Sequence, residues 1–266
     1  MNLDNLSEHY RVVLCDIWGC LHDGVHIYPG AAERLREWKQ QGRTVVLITN
    51  APRTAEAVAL QLDQLGLDRE LWDGIATGGD AGIEALRHCT KPVGFIGTAM
   101  DKAILEDKGV RIADDDSFTD LACAGLDEYR RQVADYTAEL ERLAARGVVM
   151  HCLNPDRVVI RGGRLEPCAG ALADIYEGFG GLVEWYGKPF PAIYKHALHL
   201  GGDPAPHEVV AIGDGLQTDL LGAARMGFAF VFITGGIHGG EPFPKRFAAE
   251  NGLGDWRPLM VVGSLG

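Results

Sequence analysis

The hydrophobic pattern opens with a run over 12–21, Val-Val-Leu-Cys-Asp-Ile-Trp-Gly-Cys-Leu, whose apolar residues are broken by one carboxylate, Asp16. A short continuous run of this kind predicts a buried strand. Residues 44–48 (Thr-Val-Val-Leu-Ile), 209–212 (Val-Val-Ala-Ile) and 228–233 (Phe-Ala-Phe-Val-Phe-Ile) repeat it, the last as a strand covered on both faces. After the first run, Ala31, Leu35 and Trp38 recur at helical spacing until Gly42 ends the segment. A second helix is predicted over 54–65, stopping at Gly66. Strand, helix, strand, helix is the order that right-handed crossovers wind into a parallel sheet. Residues 74–80 read as a short strand and a glycine-rich turn, and further helices are predicted over 192–200 and 218–226. The segment 234–240, with four glycines, reads as flexible.

From about residue 78 to 186 a second set of elements interrupts this series. Strands are predicted over 93–96, 121–124, 148–152 and 158–160. The longest helix is predicted over 127–146, with Tyr129, Val133, Tyr136, Leu140 and Leu143 on one side. The expected architecture is therefore α/β: a doubly wound parallel sheet from residues 1–77 and 187–266, with a smaller α/β unit inserted over 78–186. Asp114-Asp115-Asp116 reads as a solvated turn, because consecutive side chains do not converge on one point.

Composition narrows the function classes. The chain has 266 residues, 47% of them apolar, enough for one large domain or two smaller ones. A formal net charge of −12 argues against a nucleic-acid partner, whose phosphates require clustered Lys and Arg. No apolar run approaches the length of a membrane span. Residues 1–11 are polar and lack an apolar signal segment. Cys15, Cys20, Cys89, Cys123, Cys152 and Cys168 form no C-x-x-C pair and read as reduced thiols, which leads to an expected cytoplasmic setting. Cys15 and Cys20, flanking Asp16, read as small buried apolar residues.

Candidate chemistry gathers at strand ends and helix starts. Asp16 ends the first strand, and Thr49-Asn50 follow the second. Gly187-Lys188-Pro189 places a lysine just before a helix. Gly213-Asp214-Gly215-Leu216-Gln217-Thr218-Asp219 puts two carboxylates after the strand at 209–212. Ligands of open α/β sheets bind beyond the carboxyl ends of the strands.

In this order, the four stretches resemble the haloacid dehalogenase superfamily, specifically its class IIA branch. Most members there are Mg²⁺-dependent phosphatases of small phosphorylated molecules. The resemblance implies a Rossmann-type catalytic core and an inserted cap that selects the substrate. It implies Asp16 as a nucleophile that forms an aspartyl phosphate. It implies Mg²⁺ on Asp16, Asp214 and the main-chain carbonyl of Trp18, supported by Asp219. Thr49 and Lys188 would hold phosphoryl oxygens, with Asn50 beside them. Leu153-Asn154-Pro155-Asp156-Arg157 resembles the Asn-Pro-Asp turn near the substrate end of class IIA caps, which would bring Asn154 and Asp156 to the substrate. It reads equally as an ordinary proline turn. Class IIA proteins often pair through their caps, so a homodimer is also implied.

The chain departs from the family's Asp-x-Asp motif at one position: Trp18 replaces the second Asp. In the family that Asp protonates the leaving oxygen and later activates water. An indole N–H is a donor only and does not titrate near neutrality. Three readings follow: a phosphatase with altered acid–base chemistry, a non-catalytic phosphometabolite-binding protein, and a dehalogenase. Superfamily dehalogenases also carry an aromatic residue two after the nucleophile, but they work without Mg²⁺ and lack the paired acids. His22 and Asp23, the nearest titratable side chains, read as exposed loop residues.

Overall fold

The computed structural model describes residues 3–161, 164–236, 243–244 and 246–266. Among these the strands are β1 (Val12–Asp16), β2 (Thr44–Thr49), β3 (Gly74–Thr77), β4 (Gly94–Ile96), β5 (Asp120–Cys123), β6 (Val149–Cys152), β7 (Val158–Arg161), β8 (Arg164–Pro167), β9 (Leu182–Trp185), β10 (Val209–Gly213), β11 (Ala229–Ile233) and β12 (Met260–Val262). The chain divides into two compact units: Met1–Thr49, Ala55–Ala76 and Lys188–Gly266, and Asn50–Thr54 with Thr77–Gly187. Residues 50–54, expected in the first unit, group with the second.

The first unit is built on a six-stranded sheet in the order β12-β11-β10-β1-β2-β3. The pairs β1–β10, β1–β2, β10–β11 and β11–β12 are all parallel. Every residue of β1 and β10 is buried, which is why these strands carry apolar residues on both faces. Leu14, Val46, Ala211 and Phe230 pack with Ile193, Tyr194 and Ala197 of the helix Pro191–Leu200. Apolar burial of this kind contributes roughly 25 cal/mol per Å².

The second unit holds a parallel sheet in the order β4-β5-β6-β9 and an antiparallel hairpin, β7–β8. Its core joins Leu121, Cys123, Met150 and Cys152 to Tyr136, Leu140, Leu172 and Tyr176.

Several sequence expectations are corrected. The long helix does not run from 127: Asp127 Oδ1 accepts the N–H groups of Tyr129 and Arg130 at 2.8 and 2.6 Å, closing a turn instead. A 3₁₀ turn, Val133–Tyr136, then leads into the helix Thr137–Ala145, and Tyr129 is 93% exposed. The glycines at 78–79 begin a helix, Gly78–Arg87, rather than a turn, because the Thr77 side chain caps it by accepting the Asp80 N–H at 2.8 Å. Strands β8, β9 and β12 and the helices Ala99–Asp107 and Ala169–Gly178 were not foreseen. Residues 237–240 of the glycine-rich segment lie outside the described residues. Its first part is tied down, with the N–H groups of Thr234 and Gly235 donating to the carbonyls of Val262 and Gly263 at 2.9 and 2.8 Å. No helix among the described residues is long and apolar enough to cross a membrane.

Candidate active site

The chain leaves β1 for β2 on one side of the first sheet, while β10 leads to β11 on the other. The gap between β1 and β10 is therefore the topological switch point, where such sheets bind ligands. Asp16 ends β1, Asp214 follows β10, and Thr49 ends β2, one residue beyond Asp16's register partner Ile48. These three residues, Lys188 and Asp219 are each 4–5% exposed.

Lys188 ties the group together. Its Nζ donates to Asp16 Oδ1, to Asp219 Oδ1 at 2.7 Å and to the Ile48 carbonyl at 3.5 Å. Asp219 lies on a wide π-helical turn, Leu216–Leu220, before the helix Leu221–Met226, where a regular helix was expected over 218–226. Such turns are frequent at functional sites. Asp219 Oδ2 accepts the Gly215 N–H and the Thr218 hydroxyl, both at 3.2 Å. Tyr194 donates its hydroxyl to the Asp219 carbonyl at 3.2 Å.

Burial alone would lower the Lys188 ammonium, but Asp16 and Asp219 beside it hold its pKa well above the ordinary lysine value. Lys188 is thus a fixed positive charge. Burial, then the Asp219 carboxylate, push Asp16 up, Lys188 opposes them, and Asp214 adds to the rise. Three buried carboxylates and one buried ammonium make up this group. That excess of negative charge, from oxygen donors, is the environment a hard divalent cation relieves. Ligand atoms of Asp16, Asp214 and Cys20 lie within 4.8 Å of one another. Burial raises the Cys20 thiol well above its usual range, so it stays protonated and leaves the carboxylates as the oxygen donors of the set. The residues present fit Mg²⁺.

The Asp214 carboxyl is enclosed by backbone. A Cβ on Gly19 would fall 2.1 Å from Asp214 Oδ2, and one on Gly236 2.2 Å. Gly19 also has a φ of +86°, so a side chain there is excluded twice over.

Asn50, Asn154 and Asp156 belong to the second unit and hydrogen-bond to one another. Asn50 Nδ2 donates to Asp156 Oδ1 at 2.8 Å, and the Asp156 N–H donates to Asn154 Oδ1 at 2.9 Å. The second contact makes the Asn-Pro-Asp segment a side-chain-closed turn.

Comparison with known proteins places this arrangement. A profile described as "Haloacid dehalogenase-like hydrolase" matches residues 13–111, and a related one, "HAD-hyrolase-like", matches residues 185–255. The ribonucleotide monophosphatase NagD of Escherichia coli K12 is 31% identical over 230 residues, spanning 85% of this chain and 88% of that protein. Human chronophin is 25% identical over 273 residues, spanning 95% and 90%. The crystal structure of a hydrolase of the haloacid dehalogenase-like family from Brucella suis 1330 superposes with a TM-score of 0.85 at 31% identity, covering 100% of this chain and 99% of that one. The chain belongs to the haloacid dehalogenase superfamily, in its class IIA branch.

Position 18, where the resemblance implies a second carboxylate, is a tryptophan. Its indole is half-buried and meets the His22 ring edge-on, with centroids 4.9 Å apart. A Cβ on Gly24 would strike the indole at 2.5 Å, so Gly24 makes room for it. His22 is not the exposed loop residue expected. It is 1% exposed, and its Nδ1 accepts the Gly24 N–H at 2.8 Å. The indole covering it gives the reason. Asp23 is exposed, as read, and caps the loop by accepting the N–H groups of Val25 and His26 at 2.8 and 2.7 Å.

Burial lowers the His22 imidazole from its ordinary 6.5 to about 4, against a small opposing pull from Asp23. Between these values the unfolded chain binds the proton and the folded chain does not, so stability falls as pH drops through that window. The loss is expected to reach about 3 kcal/mol by pH 4 and to be absent above pH 7. The His22 ring signals should titrate near pH 4 by NMR; titration near the ordinary value would contradict the burial argument.

Sequence reasoning missed Cys20 as a neighbour of the two carboxylates. A cysteine in an apolar run carries no signal of that kind, and only the loop closed at Gly19 turns it toward them.

Proposed function

We propose that the protein is a Mg²⁺-dependent phosphatase of a small phosphorylated metabolite, with residues 1–77 and 187–266 as catalytic core and 78–186 as the cap that selects the substrate. The observation that supports it most is the buried Asp16–Lys188–Asp219 group beside Asp214 at the sheet's switch point. Asp16 attacks phosphorus in line, expels the alcohol or phenol and becomes an aspartyl phosphate, which water hydrolyses. Lys188 neutralises charge on the phosphoryl oxygens, and the Thr49 hydroxyl donates to them. Asp219 keeps Lys188 oriented. Asp16, Asp214 and the Trp18 carbonyl would hold Mg²⁺, which when bound offsets the repulsion between carboxylate and phosphate dianion. Asn50, Asn154 and Asp156 would face the substrate. A cytoplasmic setting accords with six free thiols.

The test is a screen of phosphorylated metabolites with and without Mg²⁺, paired with calorimetry on Asp214→Asn. Hydrolysis should require the metal, and the variant should bind Mg²⁺ at least ~10-fold more weakly. Unchanged affinity would reject the ligand assignment. Trp18 favours one second reading, a phosphometabolite-binding protein that keeps the metal site without turnover. A wild type that binds Mg²⁺ and phosphate esters but hydrolyses none would establish it.

A further inference from the structure

A second group of ligand-type side chains lies in the sheet of the second unit. Cys89 follows the helix Gly78–Arg87, Asp120 opens β5 and His151 belongs to β6. His151 pairs in register with Ala122, so Asp120, two residues earlier, projects from the same sheet face. His151 Nε2 lies 3.1 Å from Asp120 Oδ1, and its Nδ1 lies 3.0 Å from the Tyr186 hydroxyl. The two rings stack with centroids 5.8 Å apart. The Cys89 sulfur completes the set: one ligand atom from each of Cys89, Asp120 and His151 lies within 4.8 Å of the other two. Arg111 holds the cysteine in place by donating to the carbonyls of Cys89 and Thr90 at 2.7 and 2.8 Å. His151 is buried, while Cys89 and Asp120 are half-buried, leaving a way in from solvent.

An Asp–His–Tyr chain alone is an ordinary structural relay. The thiol makes this one different, because three donors of three kinds converge on one point. Mg²⁺ takes oxygen donors and Cu⁺ takes sulfur; a mixed sulfur, nitrogen and oxygen set suits Zn²⁺. We propose that Cys89, Asp120 and His151 form a Zn²⁺-binding site in the second unit, with a fourth position open to water. The protons balance as follows. In the metal-free tautomer that carries its proton on Nε2, the Tyr186 hydroxyl donates to His151 Nδ1 and Nε2–H donates to Asp120. On binding, Nε2 takes the metal, its proton is replaced by one on Nδ1, and the Tyr186 hydroxyl turns to accept from it. The Cys89 thiol proton leaves to solvent, so about one proton is released per ion.

The test uses the full chain, stripped with chelator and titrated with Co²⁺ as a spectroscopic stand-in for Zn²⁺. A thiolate-to-cobalt charge-transfer band is expected in the wild type and in Cys20→Ala, whose thiol lies in the first unit. The band should be lost in Cys89→Ser. Zn²⁺ should displace the cobalt with proton release, and should raise the unfolding temperature of the wild type by more than that of Cys89→Ser, which keeps only the Asp16–Asp214 site. Asp120→Asn, which keeps the thiol and the side-chain volume, should retain the band but need at least ~10-fold more metal. Absence of the band in the wild type, or a band that survives Cys89→Ser and disappears in Cys20→Ala, would overturn the proposal.

Discussion

Replacing Asp16 with Asn is expected to remove phosphate-ester turnover, by ~10⁴-fold or more, from a chain that still folds. The amide has nearly the shape of the carboxylate but cannot attack phosphorus. The fold should survive because Lys188 keeps its 2.7 Å contact with Asp219, so no buried ammonium is stranded. Removing the Asp16 charge also removes the cost of burying that carboxylate beside Asp219 and Asp214. Steady-state rates and thermal unfolding of the two proteins, measured side by side, check both halves. Retained activity in a folded Asp16→Asn would point to a contaminant or to another site.

Replacing Trp18 with Asp is expected to speed hydrolysis of alkyl and sugar phosphates by ~10²–10⁴-fold, the usual worth of general acid–base help. Aryl and acyl phosphates should change little, since their leaving groups depart without a proton. The wild type should accordingly show a steep dependence of rate on leaving-group pKa, and the variant a shallow one. The Trp18 carbonyl persists through the change, so Mg²⁺ affinity should hold. Packing is the competing effect. The indole lies on His22 and against Gly24, and its removal leaves space that costs a few kcal/mol. It also opens His22 to water, which should bring that imidazole back toward its ordinary range. Rates across a leaving-group series, with unfolding temperatures alongside, separate the two effects. A folded variant with no selective gain on alkyl phosphates would show that the missing carboxylate does not limit the reaction.

The central strands were legible because burial on both faces forces continuous apolar runs, as at Val12–Asp16, Val209–Gly213 and Ala229–Ile233. The acids stood out as polar residues at the ends of those runs. The edges of the second unit were harder. Leu182–Trp185 pairs on one side only and is partly exposed, so its pattern is diluted. Gly78–Arg87 opens on two glycines, poor helix formers that fit here because their neighbours approach as backbone: a Cβ on Gly79 would lie 2.4 Å from the Pro52 carbonyl oxygen. At Asp127 a local side-chain bond overrode a helical spacing. His22 was misjudged because the path of the loop after Asp16 decides which side chains turn inward, and periodicity does not describe a loop; Cys20 is buried as read, and the same path sets it beside the two carboxylates. Cys89, Asp120 and His151 are about thirty residues apart from one to the next; strand register brings Asp120 and His151 together, and the turn after the helix Gly78–Arg87 adds Cys89.

The central claim, covalent catalysis at Asp16, is tested most directly by trapping the intermediate. The protein is mixed with Mg²⁺ and an aryl phosphate, quenched in acid during turnover, digested and mapped by mass spectrometry. The account predicts a base-labile phosphoryl group on the peptide containing Asp16, absent from Asp16→Asn. Turnover with that peptide unmodified, or with the phosphoryl group on another residue, would contradict it.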